Sequence, residues 1–511
     1  MANKRALISV TDKTGIVEFG KELEKLGYEI ISTGNTHKML SEAGVNAIQI
    51  DQLTGFPEIL DGRVKTLNPY VHGGILYRRD IKEHVETVEK LEIKSIDMVV
   101  VNLYNFEGCL KSGAGMEDMI ENIDIGGPSM IRSAAKNYRD VIIVTDPSDY
   151  GLIIESLKEG ELSQEERLNL SYKAFSLTAH YDSIISNYFM ELVGDRHPKY
   201  LNLTFEKEEE LRYGENPHQK GSLYKENFVL DTKLDFEQLH GKQLSFNNIN
   251  DLNAALEILR EFEGGENIAS VAIKHANPCG VGIGKDSFES FKKAYEADKT
   301  SIFGGIIGIN STVDLNTAEL LSEIFFEIIA AYDFTDEALE VLKAKKNLRI
   351  LKLKDLSPKT RGYDFKYLDG KLLAQDKDEK LYEDFKTVTQ TVPTKAQIDD
   401  MVFGMKIVKH MKSNAIAIVK DGMTIALGPG QTSRIWALEN AIGNNKEKDF
   451  EGAVLASDAF FPFDDCVRFA AEYGIKAIIQ PGGSVKDQDS IDACDELSIA
   501  MVFSGIRHFK H

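Results

Sequence analysis

"RALISVTDKTG", residues 5–15, runs from an apolar stretch directly into a short polar turn closed by glycine. The segments on its C-terminal side decide the fold. GIVEFGKELEKL (15–26) carries apolar residues at helical spacing, YEIIS (28–32) is a second apolar run, and TGNT (33–36) is a second small polar turn. The pattern continues with HKMLSEA as helix, VNAIQI and IDMVVVNLY as strands, PSMIRSAAKN as helix and VIIVTD as strand. Such alternation predicts a mostly parallel sheet with crossover helices, in which ligands gather at the loops leaving the strands' C-terminal ends. Those loops are TDKTG, TGNT, NLYNF and IDIGGPS.

The chain has 511 residues, 42% of them hydrophobic, and exceeds what one core usually serves, so two or three domains are expected. Its 60 basic and 81 acidic side chains give a net charge of −21, which argues against nucleic acid or an anionic membrane surface as partner. Anionic ligands must then be held by local Lys, Arg and backbone N–H groups. Cys109, Cys279, Cys466 and Cys494 lie far apart, with no C-x-x-C and no histidine at ligand spacing, which suggests neither a disulfide framework nor a structural zinc. The N-terminus lacks a signal-like apolar run and no window approaches the ~20 apolar residues of a membrane span. A cytoplasmic protein is expected.

Residues 151–190 read as helix-rich, and DRHPKYLNLTFEKEEE after them marks the main boundary near residue 200. A weaker break falls at 355–395. This gives segments 1–197, 198–370 and 371–511. The last two share a plan, SVAIKHANPCGVGIG in one and AIAIVKDGMTIALGPG in the other, each a glycine-punctuated pair of strands, which suggests an internal duplication.

Several loops carry chemistry-bearing residues. Asp12-Lys13-Thr14-Gly15 and Thr33-Gly34-Asn35-Thr36 leave helix N–H groups free for a phosphate, or are ordinary N-capped turns. Arg63 and Lys65 alternate in GRVKTLNP, where an extended chain would point them the same way. In DIGGPSMIRSAAKN, Gly126, Gly127 and Pro128 open a helix whose N–H groups could stabilise an oxyanion, with Asp124 before it and Lys136 about three turns on. In KHANPCG the ammonium of Lys274 disfavours a second positive charge beside it, which suits His275 to a base's role. A zinc deaminase needs H-x-E and P-C-x-x-C; here Ala276-Asn277 follow the histidine and Gly280-Val281-Gly282 follow Cys279, so zinc is not supported. SDAFFPFDD (457–465) places three phenylalanines in a loop, either for stacking on a flat ring or as core anchors. The tail GIRHFKH is either frayed or folds Arg507 back onto an anion.

With these segments in hand, the sequence resembles the family of bifunctional enzymes that join AICAR transformylase to IMP cyclohydrolase. SVTDKTG, STGNT, TGFPEILDGRVKTLNP, VVNLY, IDIGGPSMIRSAAKN, LRYGENPHQ, KHANPCG, SNAIAI, GQTSR, SDAFFPFDD, PGGS and RHFKH match in order along essentially the whole chain. The resemblance implies an α/β protein: a methylglyoxal-synthase-like cyclohydrolase domain (1–197) and a transformylase region of two cytidine-deaminase-like subdomains without zinc (198–370 and 371–511). It implies formyl transfer from 10-formyltetrahydrofolate, a co-substrate rather than a tightly bound cofactor, to the 5-amino group of AICAR, followed by dehydrative closure of FAICAR to IMP.

By the same resemblance, His275 helps deprotonate the amine, Lys274 stabilises the oxyanion or protonates the leaving N10, and Asn414 hydrogen-bonds at the reacting groups. Arg212, Tyr213, Arg434 and Arg507 match nucleotide-binding residues, Phe460 lies at the imidazole, Asp465 near the folate, and Gly304 contacts substrate. Glu327 stands where some members have Asp. For cyclisation the family assigns proton transfer to Lys136, with Tyr104, Asp124 and Lys65 around the reacting groups. Phosphate lies on Lys13, Thr36 and their loops (Thr11, Asp12, Thr33, Gly34, Asn35), with Arg63, Thr66 and Asn102 also binding substrate. Asn68 and Asn105 replace a frequent His and Pro and put the rigidity of their loops in question. A homodimer is implied. The rival readings are a purine-nucleotide binder without catalysis and a transformylase with impaired cyclohydrolase.

Overall fold

A computed structural model describes residues 4–226, 234–354, 356 and 362–511. The chain forms two compact units, one reaching Glu206 and including Lys225 and Glu226, the other holding Lys207–Tyr224 and the described residues from 234 on; β6 (Phe205–Leu211) and β7 (Gly221–Glu226) form a two-stranded sheet.

The first unit is built on β1 (Lys4–Ser9), β2 (Tyr28–Ser32), β3 (Ala47–Gln49), β4 (Met98–Val101) and β5 (Ile142–Val144). All pair in parallel in the order β3-β2-β1-β4-β5. Leu7, Ile8, Met98, Val99 and Val100 are buried, because helices cover both faces of the sheet. The order reverses between β1 and β4, so the crevice opens outside the C-terminal ends of those two strands. The strand expected at 45–50 is cut to Ala47–Gln49, since the chain turns at Ile50 into a short helix, Ile50–Thr54. The helix-rich stretch is two helices, Tyr150–Glu159 and the long Gln164–Val193, the second started by a capping box between Ser163 and Glu166. Asn68 and Asn105 are N-caps: their side chains accept from Tyr70 N at 2.9 Å and Gly108 N at 2.8 Å, each starting a helix. These loops are thereby tied down locally.

The second unit contains β8 (Phe236–His240), β9 (Ile268–Lys274), β10 (Asn277–Gly284), β11 (Ile306–Val313), β12 (Ile328–Phe334) and β13 (Arg349–Leu353). A small hairpin of β14 (Tyr363–Leu368) and β15 (Lys371–Asp376) comes next; residues 355 and 357–361 of the expected break lie outside the described residues. Then come β16 (Lys386–Thr387), β17 (Ile416–Lys420), β18 (Met423–Gly428), β19 (Val454–Ser457), β20 (Ala477–Gln480) and β21 (Ala500–Phe503). Apart from β14 and β15, these strands form one sheet, β16-β21-β20-β19-β17-β18-β10-β9-β11-β12-β13-β8.

The two halves of that sheet are topological copies. In each, a helix opening on a hydroxyl cap (Phe246–Arg260 after Ser245, Lys395–Val408 after Thr394) precedes a tight hairpin. An antiparallel strand and two parallel ones complete each half. The halves meet through β10 and β18, antiparallel, with Gly282 opposite Met423.

Glycines let a helix lie on each hairpin. A Cβ on Gly282 would sit 2.6 Å from Ser290 O in the helix Ser287–Ala297, and one on Gly428 would overlap Ala437 O in the helix Arg434–Gly443. Gly282→Ala and Gly428→Ala are each expected to cost about 1–3 kcal/mol in chemical unfolding, because backbone cannot move aside as a side chain can.

An ionic cluster ties the halves together. Glu257 and Glu261 lie one turn apart on the helix Phe246–Arg260 and its end, facing Lys409, His410 and Lys510. Glu261 Oε1 is 2.8 Å from Lys409 Nζ and 2.9 Å from His410 Nε2, and Glu257 Oε2 is 2.6 Å from Lys510 Nζ. Burial raises both carboxyls, but His410 with Lys510 holds Glu257 well below the carboxylate range, and His410 with Lys409 brings Glu261 down to about 2. A depressed carboxyl contributes stability above its unfolded value and loses it as pH falls through the folded one. Stability should therefore fall between pH 4.5 and about 2, and His410→Gln should flatten that fall in denaturant titrations.

Candidate active sites

In the first unit a cavity of about 840 Å³ lies at the switch between β1 and β4. The β1 loop is pinned across it by Asn102, whose Oδ1 accepts from Thr11 N at 2.5 Å and Asp12 N at 3.0 Å, and whose Nδ2 donates to Asp12 O at 2.9 Å. Asp12 itself turns into its own loop, and hydrogen bonds from Thr14 lower its pKa. Lys13 Nζ reaches back toward Thr11 O at 3.3 Å.

The β2 loop meets it from the other side. Thr36 Oγ1 donates to Val10 O at 2.9 Å, and the hydroxyls of Thr33 and Ser9 are 2.8 Å apart. Because Thr33 spends its hydroxyl on Ser9, it does not cap the helix Gly34–Glu42. The first N–H groups of that helix, at Gly34 and Asn35, open on the cavity, an arrangement suited to an anion. Lys65 Nζ sits 3.3 Å from where a Cβ on Gly34 would be, so glycine admits the ammonium to this end of the helix.

Opposite lie Tyr104 and Asp124. Asp124 accepts from Gly127 N at 2.7 Å, its own N donates to Tyr181 Oη at 2.9 Å, and burial pushes its carboxyl up against those backbone bonds. Burial, then the charges of Asp124 and Glu58, push the Tyr104 phenol up. The N–H groups expected to serve an oxyanion are reduced accordingly: Gly127 N–H is occupied by Asp124 and Pro128 has none, which leaves Gly126. Thr66 lies beside Gly126, whose missing Cβ would fall 2.7 Å from Thr66 Oγ1.

Lys136 is not brought to this cavity. It is exposed at the last position of the helix Gly126–Lys136, about 15 Å from the first at 1.5 Å per residue. Its assignment rests on the family resemblance alone. Sequence reading missed Glu58, Asp61 and Glu121, which also line the cavity; Glu58 pairs with Lys65 at 2.7 Å and Glu121 with Arg63. Glu58 and Asp61 share a loop with the basic residues, but Glu121 ends the helix Met116–Glu121, 58 residues beyond Arg63, and carries no local signal.

In the second unit, Lys274 and His275 stand at the turn between β9 and β10. Lys274 pairs with Asn277, so the turn has two central residues, His275 at φ +51° and Ala276 at φ +57°. Positive φ at both positions is the hairpin geometry that usually takes Asn-Gly or Asp-Gly; for residues with a Cβ it costs of order 1–3 kcal/mol each. The turn leaves His275 exposed. Lys274 Nζ donates to Phe303 O at 2.6 Å and lies 3.3 Å from a Cβ placed on Gly304 (φ +71°), so a side chain at residue 304 would crowd the ammonium. Cys279 has its thiol pushed up to about 12 by burial, which removes it from thiolate chemistry.

The second half contributes Asn414. Its N donates to Gln431 O at 2.9 Å, and its Oδ1 accepts from Arg434 Nη2 at 2.7 Å. The Arg434 guanidinium is buried, pairs with the fully buried Asp458 and donates to Ala415 O at 3.0 Å. Arg434 thereby orients Asn414, while its buried Nε has no hydrogen-bond partner among the described residues.

The C-terminal tail is docked rather than frayed. His508 is buried with Nδ1 2.6 Å from Asp378 Oδ2, its N donates to Asp458 O at 2.8 Å, and Lys510 exchanges bonds with Ser413. Arg507 stays exposed over the Phe509 ring, 4.5 Å from its centroid.

The three phenylalanines divide. Phe461 is in the core, Phe460 is half-buried and Phe463 is exposed beneath Lys486. Asp465 starts the next helix and accepts from Cys466 N at 2.8 Å. Arg212 stacks on Tyr213 and donates to its hydroxyl at 2.8 Å. Glu327 is held by Arg349 at 2.8 Å. Among the described residues no cluster of His, Cys, Asp and Glu could hold a metal ion, and no helix is long and apolar enough to cross a membrane.

A model of the MGS-like domain matches residues 15–129, and one of the AICARFT/IMPCHase bienzyme matches residues 134–444. The chain is 66% identical to a bifunctional purine biosynthesis protein of Clostridioides difficile over the full length of both. It is 53% identical to proteins of the same description from Caldicellulosiruptor saccharolyticus and Acetivibrio thermocellus, over 99% of this chain and all of each relative. With a family model covering more than half its length and full-length relatives at this identity, the chain belongs to the AICARFT/IMPCHase bienzyme family.

Proposed function

We propose a division of the family's two reactions between the two units. The chain is a bifunctional enzyme, a transferase that formylates AICAR and a cyclohydrolase that closes FAICAR to IMP. Cyclisation belongs to the cavity between β1 and β4, and formyl transfer, with 10-formyltetrahydrofolate as donor, to the turn between β9 and β10 together with Asn414. The division is carried by one observation: Lys65, Tyr104 and Asp124 line one cavity with an uncapped helix end in one unit, while Lys274, Gly304 and Asn414 stand at the ends of β9, β11 and β17 in the other.

In cyclisation the carboxamide nitrogen of FAICAR attacks the formyl carbon and loses a proton; the formamide nitrogen then gives up its own proton and forms the ring C=N bond as the C–O bond breaks and the former formyl oxygen leaves as water. The uncapped N–H groups at Gly34 and Asn35, with Lys13, Thr36 and Arg63, suit the nucleotide phosphate. Lys65 and the Gly126 N–H suit the oxyanion, and Tyr104, whose phenol keeps its proton, can donate to it. Asp124, raised by burial, suits proton transfer from the nitrogen. In formyl transfer the amine of AICAR attacks the formyl carbon, His275 takes the amine proton, Lys274 supports the tetrahedral oxyanion, and the folate N10 leaves with a proton. Arg212, Tyr213, Arg434 and Arg507 are proposed for the nucleotide, Phe460 for its ring, and Asp465 and Glu327 for neighbouring contacts. A cytoplasmic homodimer is proposed on the resemblance, to which exposed Phe303, Trp436 and Phe463 lend support.

Incubating the protein with AICAR and 10-formyltetrahydrofolate should yield IMP by mass analysis. His275→Ala should abolish FAICAR formation and leave closure of supplied FAICAR intact. Lys65→Met should slow closure at least tenfold and spare formylation. If either variant stops both reactions while remaining folded, the two-site division is wrong.

A further inference from the structure

The duplicated topology supplies an internal comparison for the turn that carries Lys274 and His275. The equivalent turn in the second half joins β17 to β18: Lys420 pairs with Met423 around Asp421 (φ +51°) and Gly422 (φ +67°), the residue pair that such hairpins favour. There the carboxylate of Asp400 accepts both turn N–H groups, from Asp421 N and Gly422 N, each at 2.9 Å. Asp400 lies six residues after the cap Thr394, and Asp251 lies six residues after the equivalent cap Ser245. Asp251 Oδ1 accepts from Ala276 N at 2.7 Å, its carboxylate also takes a backbone bond from His275, and burial raises it as burial raises Asp400. The same carboxylate clamp therefore serves both turns. In the first half it holds His-Ala, with a Cβ on the residue whose counterpart is glycine.

We propose that Asp251 is a positioning residue for formyl transfer: its carboxylate holds the N–H groups of the His275-Ala276 turn in the left-handed conformation and so sets the direction of the Lys274 and His275 side chains. The inference rests on the reading that His275 carries formyl transfer. A charge-assisted bond to backbone N–H is strong enough to retain a strained turn that Asp-Gly would adopt unaided. Asp400 performs the same mechanical task on a turn without an assigned catalytic residue.

The test compares kcat and KM for AICAR in formyl transfer, with closure of FAICAR as an internal control. Asp251→Ala should lower kcat at least tenfold, leave KM for AICAR within threefold and spare closure. Asp251→Asn, which keeps one acceptor oxygen without the charge, should give a kcat between those of Asp251→Ala and the parent, and Asp400→Ala should not reproduce the loss. Adding Ala276→Gly to Asp251→Ala should recover most of kcat, because glycine adopts the turn without the clamp. An unchanged kcat in Asp251→Ala, or a loss that Ala276→Gly does not relieve, overturns the proposal. His275→Ala run in parallel separates the two ideas: if it leaves formyl transfer intact, the assignment of His275 fails first.

Discussion

The antiparallel seam between β10 and β18 is the constraint on which the second unit depends. With Gly282 opposite Met423, antiparallel register carries Asn277 to the level of Gly428, so the turn bearing His275 arrives beside the segment that holds Asn414 and Gln431. Asn277 Oδ1 accepting from Lys412 N at 3.3 Å is the contact made there. Had the two copies joined through their outer edges, the same side chains would stand at opposite ends of the sheet. Thr424 reinforces the seam from within, accepting from Val281 N at 2.9 Å.

The two copies of the topology differ in what their turns carry. Both keep a lysine before the turn, a carboxylate beneath it and positive φ at its two central residues. One uses Asp421-Gly422, for which the geometry is easy, and the other His275-Ala276, for which it is strained. Strain of this kind persists where surrounding structure over-determines it, and it stands here at the site assigned to chemistry.

The first unit obeys a different rule. Its residues collect where the strand order reverses, and its electrostatics come from opposed charges sharing a confined space. Glu58 and Glu121 hold Lys65 and Arg63, while burial raises the carboxyl of Asp124 near Tyr104. The second unit adds a tail that closes on Ser413 and Asp458, so that the last residues of the chain brace Asn414.

Local pattern alone determined much of this. Apolar runs ending at TDKTG and TGNT specified a parallel sheet with ligand loops, because strand and helix periods and turn residues act over a few positions. KHANPCG marked a base candidate and excluded the zinc motif on the same local grounds. Ordered motif matches along the chain carried the family. What only the tertiary structure decided depends on which distant segments meet. Lys136 lies at the far end of its helix from the cavity, Arg434 pairs with Asp458, Gly127 N–H is taken by Asp124, and the tail is docked through His508 and Lys510. Asp251 carries no motif at all; its role becomes visible only when the fold lays one copy of the turn over the other, because a hydrogen bond between residues 251 and 276 leaves no periodic trace in the chain.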